Sequence, residues 1–101
     1  VKETIDKLNK AFENRVRLGI MSLLMVEEWV AYSRLKKTLE QSDGNLATHL
    51  KTLRKLTFID EKKEFRDRKP HTTYRATEKG REAFEDHLNA IEEIVKKMGK
   101  D

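Results

Sequence analysis

Apolar positions along the chain change spacing several times, and each change predicts an element. Val1, Ile5, Leu8 and Phe12 recur at helical intervals and form one stripe over residues 1–12. From Asn14 to Glu27, Val16, Leu18, Ile20, Met21, Leu23, Leu24 and Val26 cover most of a second helix, which belongs at the centre of the core. Asn14 is placed to cap it. Trp29 to Tyr32 is short and β-leaning. Ser33 is placed to cap a short helix ending near Glu40, with Leu35 and Leu39 inward. Gln41 to Gly44 reads as a turn. Ser42 or Asp43 then caps a helix running to about Leu56, with Leu46, Leu50 and Leu53 as its buried stripe.

Beyond that helix the pattern turns to strand. Phe58 to Phe65 and His71 to Ala76 flank Arg66 to Pro70, whose Asp67 and Pro70 suit a hairpin turn. Glu61 and Lys63 share a face with Ile59 and Phe65, so only the ends of the first strand are expected to be buried. Thr77 caps the last helix, with Glu78 at the positive end of its dipole. Phe84, Leu88, Ile91, Val95 and Met98 make a heptad seam on it, and Lys96, Lys97 and Lys100 suit its C-terminal end. The predicted fold is mainly α with a small antiparallel β-wing: a winged helix-turn-helix, in one domain over residues 1–101.

Composition narrows the function. The 101 residues suit one domain, and although 40% are charged, the apolar residues are clustered rather than diluted, which argues against disorder. Without cysteine there is no disulfide, zinc ribbon or thiolate sensor. No stretch approaches a membrane span and no secretory core opens the chain, so a cytoplasmic location is expected. No nucleophile–base pairing or Gly-rich phosphate loop is present, so an enzyme is not expected, nor a cofactor. His49, His71 and His87 fall on three separate elements, which argues against a histidine metal site.

The net charge of +4 is concentrated mid-chain. Gly44 to Phe58 carries Lys51, Arg54 and Lys55 and no acid. Phe65 to Arg75 carries Arg66, Arg68, Lys69 and Arg75 against Asp67 alone. The segment from Glu85 onward leans acidic.

Three segments in this order resemble the winged-helix regulators of the MarR and ArsR superfamily, chiefly a compact subgroup with little beyond the DNA-binding domain. Asn14–Met21 is similar to the family's first core helix. Gly44–Leu53 is similar to its recognition helix. Arg68–Arg81 is similar to its wing and the start of its closing helix. The resemblance spans about residues 12 to 88. It departs at Thr57, where the family often has glycine after the recognition helix, and at Asp67, where the wing tip often has one.

The resemblance implies sequence-specific binding to double-stranded DNA by a dimeric transcriptional regulator, with helix 44–56 in the major groove and wing 65–71 on the backbone or minor groove. With the leucines inward, Asn45, Thr48 and His49 are the candidates for base edges, with Thr52 on the same face. Lys51, Arg54 and Lys55 are candidates for phosphate, with Ser33 and Lys37 assisting, and Arg66, Arg68 and Lys69 at the wing tip. Trp29 and Tyr74 read as core, and Arg75 and Arg81 suit salt bridges as well as DNA.

The stripes on 1–12 and 84–98 exceed what the small core covers. Ile5, Leu8, Phe12, Phe84, Leu88, Ile91, Val95 and Met98 are therefore the expected homodimer contacts. The larger relatives imply an unidentified small-molecule effector between the dimer helices and the core. The competing reading is a winged helix used for protein–protein interaction without DNA binding.

Overall fold

A computed structural model describes residues 1–99; Lys100, expected to complement the last helix, lies outside them. The elements are α1 (Lys2–Ile5), a 3-10 turn (Lys10–Phe12), α2 (Arg15–Val26), β1 (Val30–Ala31), α3 (Tyr32–Leu39), α4 (Asp43–Lys55), β2 (Ile59–Arg66), β3 (Lys69–Ala76) and α5 (Glu78–Lys97). The strands form one antiparallel sheet in the order β1-β3-β2. This is a winged helix-turn-helix, mostly helical with a three-stranded sheet.

Capping side chains set most helix starts. Asn14 accepts from the backbone N–H groups of Val16 and Arg17 at 3.0 and 3.1 Å, Ser42 from Asn45 at 3.2 Å, and Thr77 from Gly80 at 3.0 Å. Ser33 does not cap α3. That helix starts two residues earlier, at Tyr32, behind Ala31, and has no side-chain cap.

The N-terminal stripe is not one helix. Asn9 sits in the extended region and its side chain accepts from the N–H of Ala11, which starts a separate 3-10 turn. That break turns Phe12 into the core, 2% exposed, while Ile5 stays 46% exposed.

The core gathers Phe12, Ile20, Met21, Leu24, Leu35, Leu46, Leu50, Leu53, Phe58, Ile59, Tyr74 and Phe84. Phe84 was expected on an association seam. Its ring instead meets Phe12 edge-to-face at 5.0 Å, so both phenylalanines are core residues within one chain. α2 is less enclosed than its pattern predicts, because Leu18 and Val26 remain exposed. Tyr74 is buried as expected. Trp29 is half-buried beside β1, with the Lys62 ammonium 4.2 Å and the Arg75 guanidinium 4.9 Å from its ring centroid.

The hairpin turn is tighter than expected. Arg66 pairs with Lys69, leaving only Asp67 and Arg68 in the loop, at φ 51° and 64°. Positive φ at both positions is the turn whose twist matches that of the flanking strands. Pro70 belongs to β3, opposite Phe65. In such a hairpin the pair next to the turn is hydrogen-bonded and the following pair is not, so Pro70 forfeits no ladder bond. Of β2, only the Ile59 end is buried; Phe65, at the other end, is 78% exposed.

Two close approaches fix α4 against α5. The N–H groups of Thr57 and Phe58 bond to the carbonyls of Arg54 and Leu53 at 2.9 and 3.0 Å, closing α4 with a left-handed residue at Thr57, φ 61°. The Thr77 hydroxyl donates to the Thr57 carbonyl at 2.7 Å, and the Thr77 N–H to the Phe58 carbonyl at 3.0 Å. Gly80 packs directly on this turn: a Cβ there would lie 2.0 Å from the Phe58 carbonyl oxygen.

Candidate nucleic-acid interface

Leu46, Leu50 and Leu53 bury one face of α4. The opposite face presents Asn45, Thr48, Lys51, Arg54 and Lys55 to solvent, with His49 and Thr52 half-buried at its margin. Several of these groups are already engaged. Asn45 Nδ2 donates to Gln41 Oε1, and Gln41 Nε2 donates to the Leu39 carbonyl at 2.9 Å. The turn before α4 therefore orients the Asn45 carboxamide, leaving its oxygen and one N–H available. The Thr48 hydroxyl donates to the Gly44 carbonyl at 2.9 Å, and that of Thr52 to the Thr48 carbonyl at 3.1 Å. Their protons go to the helix backbone, which leaves methyl groups and oxygen lone pairs for a partner.

His49 meets Arg17 of α2, with Nδ1 and Nη1 3.0 Å apart, while Arg17 Nε donates to the Ala11 carbonyl at 2.7 Å. A guanidinium can only donate, so His49 Nδ1 accepts and Nε2 carries the proton. Burial, then the Arg17 charge, lowers the His49 pKa below its ordinary value. The ring is thus a neutral hydrogen-bond donor at neutral pH.

The cations fall into two groups. Arg54 is paired with Glu61 of β2 at 3.5 Å, and Arg66 lies 3.9 Å from Glu64. Among the described residues, Lys37, Lys51, Lys55, Arg68 and Lys69 have no carboxylate within ion-pair distance. Glu61 is held firmly: its side chain is 13% exposed and accepts the Tyr74 hydroxyl at 2.6 Å. Burial, then Glu61, raises the Tyr74 pKa well above the ordinary phenol value, so the hydroxyl stays a donor. A cleft of about 420 Å³ lined by Lys51, Arg54, Lys55, Ile59, Asp60 and Glu61 separates α4 from the base of the wing.

α3 supports this surface from beside it. Ser33 is exposed in its first turn and borders a cleft of about 260 Å³ shared with Pro70, His71 and Thr72 of β3. With no side-chain cap, the first N–H groups of α3 suit an anion. Asp43, at the start of α4, accepts from the Tyr32 hydroxyl at 2.9 Å and pairs with Lys36 at 3.1 Å. The Tyr32 bond, then Lys36, lowers the Asp43 pKa, and the two short helices are pinned together by it.

Arg17, Gln41, Glu61 and Tyr32 were not singled out from the sequence. Each is a polar residue on a helix, a turn or a strand, and its role comes from a partner that spacing alone does not name: His49 for Arg17, Asn45 for Gln41, Arg54 and Tyr74 for Glu61, and Asp43 for Tyr32.

Helix, turn, helix and basic hairpin around one core define a winged-helix DNA-binding regulator. The chain belongs to the winged helix DNA-binding domain family, whose model matches residues 16–95. It is 35% identical over 89 residues to an uncharacterised protein of Methanocaldococcus jannaschii, covering 88% of this chain and 97% of that one. A solved structure described as a transcriptional regulator homologue of Pyrococcus horikoshii superposes with a TM-score of 0.84 at 28% identity, covering 96% of this chain and 94% of the other. A Bacillus cereus protein described as a MarR-like transcription regulator shares the fold, with a TM-score of 0.70 at 20% identity over 95% of this chain and 71% of the other. Among the described residues no helix is long and apolar enough to cross a membrane.

Proposed function

We propose that the protein binds double-stranded DNA sequence-specifically as a homodimeric transcriptional regulator. α4 lies in the major groove, and the tip between β2 and β3 lies on the backbone or minor groove. The observation that carries this reading is the outward face of α4. A preset Asn45 amide and two threonines suit base edges, and Lys51 and Lys55 beside them form no ion pair among the described residues. Arg68 and Lys69 extend the positive surface along the wing.

Leu88, Ile91, Val95 and Met98, between 38% and 62% exposed, form the self-association surface, and Ile5 and Leu8 of the N-terminal segment add apolar area on the other flank of α5. A two-fold axis there presents two recognition helices about 34 Å apart, matching a pseudo-palindrome. The resemblance further implies a small-molecule effector bound between the dimer helices and the core.

Fluorescence anisotropy with mixed-sequence duplex DNA across a salt series tests the proposal, with an Arg68→Ala/Lys69→Ala double variant alongside. Affinity falls steeply with salt. The variant's log–log slope is shallower by about 0.9 for each phosphate it no longer neutralises. Absence of binding at low salt would turn the reading to protein–protein interaction.

A further inference from the structure

Among the described residues Phe65 is the one large apolar side chain on the outer wing, and none of them covers it: it is 78% exposed. The strand register places it opposite Pro70, one step from the Arg66–Lys69 pair that closes the turn. Directly opposed residues of an antiparallel pair share a face, and this pair is of the non-hydrogen-bonded kind, whose side chains approach most closely. Phe65 and Pro70 thus form a small apolar ridge with Arg66, Lys69 and the turn residue Arg68 around it.

Alternation down the ribbon sets its direction. Ile59, Glu61, Lys63 and Phe65 share a face with Pro70, Thr72, Tyr74 and Ala76. That is the face whose base packs into the core and whose Glu61 reaches Arg54 of α4. Phe65 therefore lies on the recognition-helix side of the wing. From Glu61 to Arg66 the ribbon extends about 17 Å, at roughly 3.4 Å per residue.

A free wing gains nothing from an exposed phenylalanine in water, and the cations around it point to an anionic partner. Proteins that kink duplexes press apolar side chains between base steps while cations hold the flanking phosphates.

We infer that Phe65, backed by Pro70, is an apolar wedge that contacts the minor groove where the wing meets DNA, favouring flexible pyrimidine–purine steps. This deepens the proposed DNA-binding function and rests on it. Arg66, Arg68 and Lys69 supply the phosphate attraction. Phe65 supplies a contact indifferent to salt, with a preference for steps that unstack cheaply. The site therefore reads deformability at the flanks of the sequence contacted by α4.

The test uses the full chain and a duplex of about three helical turns with 2-aminopurine placed at TA steps along it. Wild type, Phe65→Ala, Phe65→Leu and Arg68→Ala/Lys69→Ala are titrated over a salt series, with thermal melts and sedimentation as controls. On the wedge reading, 2-aminopurine fluorescence rises as wild type binds. Phe65→Ala abolishes the rise and weakens binding by about tenfold, the scale of one apolar side chain returned to water, while its salt slope matches wild type. Phe65→Leu keeps most of the rise. The double variant instead has a shallower salt slope. Wild-type binding with a normal salt slope, alongside a Phe65→Ala variant equal to it in affinity and fluorescence, overturns the wedge and leaves the DNA reading standing. A change in sedimentation for Phe65→Ala without a change in DNA affinity overturns it as well, because the residue then contacts protein. If wild type does not bind duplex at low salt, the DNA reading falls and takes the wedge with it.

Discussion

Thr57 holds the turn between the recognition helix and the wing in a conformation that suits glycine. At φ 61° a β-branched residue is out of place, and the left-handed region costs an L-residue about 1–2 kcal/mol. The turn persists because it is fixed from both sides. Its own N–H closes α4, its carbonyl receives the Thr77 hydroxyl, and its Oγ1 receives Lys79 Nζ at 3.0 Å. Replacement by glycine keeps the first two bonds, because they use the backbone, and loses the exposed side-chain bonds, the one from Lys79 and the one the Thr57 hydroxyl donates to the Leu56 carbonyl at 2.5 Å. It removes the steric cost and adds roughly 0.5–1 kcal/mol of extra backbone entropy to be lost on folding. The net gain for Thr57→Gly is about 0.5–1 kcal/mol. Thr57→Ala keeps most of the strain and loses the Lys79 bond, so it is neutral or slightly destabilised. Glycine should therefore melt above alanine by about 1 kcal/mol, or roughly 4–8 °C for a chain of this size. Thermal melts at one matched protein concentration measure this, since self-association would otherwise move the midpoint. A glycine variant melting at or below the alanine variant would refute the strain argument. It would mean that the left-handed conformation costs an L-residue less here than the backbone freedom glycine adds to the unfolded chain.

Other consequences follow from particular residues. Gly80→Ala drives a Cβ into the Phe58 carbonyl, which no rotamer change can relieve, and should cost about 3 kcal/mol, seen as a drop in Tm on the order of 15 °C. Because the folded-state pKa of His49 is lowered, the unfolded chain binds the proton first as pH falls. The His49 contribution is therefore complete above its ordinary value near 6.5 and lost progressively below it; a His49→Gln variant should show a flatter Tm profile between pH 7 and 5, and an unchanged profile would remove His49 as the cause. Ile91→Glu places a charge in the proposed dimer surface, and sedimentation should shift toward monomer with the fold intact by circular dichroism. Glu61→Gln releases Arg54 from its carboxylate and should raise affinity for mixed-sequence DNA about twofold to fivefold, whereas unchanged affinity would place Arg54 away from the phosphates.

Legibility in the sequence followed the range of the interaction. The caps at Asn14, Ser42 and Thr77 act within three residues and could be read directly, as could the Leu46–Leu50–Leu53 stripe. Thr57 stood out because a left-handed residue at that place demands a glycine that is absent. Phe12 was misplaced because Asn9 restarts the helix without disturbing the apolar spacing around it. Phe84 was misplaced for a related reason: a heptad spacing is the same whether its residues face a core or a second chain. A turn spanning Arg66 to Pro70 is too wide, because a proline in a non-hydrogen-bonded pair can sit in the strand. Pairings such as Arg17 with His49 and Glu61 with Arg54 join residues on separate elements, and periodicity assigns a face but no partner.

The terminal segments show how one helix can divide its surface. α5 rises about 30 Å over its 20 residues, and its first half is seated on the core through Gly80, Phe84 and His87. His87 Nδ1 accepts the Asn9 N–H at 2.9 Å, so the N-terminal segment is docked where the core ends. Farther along, the docking is polar. Thr4, 2% exposed, donates to Glu93 at 3.0 Å and accepts from Lys97 at 3.0 Å, while Lys7 pairs with Glu93 at 3.3 Å. The Thr4 bond, then Lys7, lowers the Glu93 pKa, so this docking is intact above the ordinary carboxylate range and weakens as pH falls through the lowered value. At about 100° per residue, Glu93 lies nearly opposite Ile91 and Val95 around the helix. α1 therefore occupies the far side of α5 and cannot cover Leu88, Ile91 and Val95. A pairing of the two terminal segments within one chain would have closed that stripe. Because the bonds that hold α1 are polar and sit on the opposite flank, α1 leaves the apolar stripe uncovered, and its arrangement supports the proposed dimer.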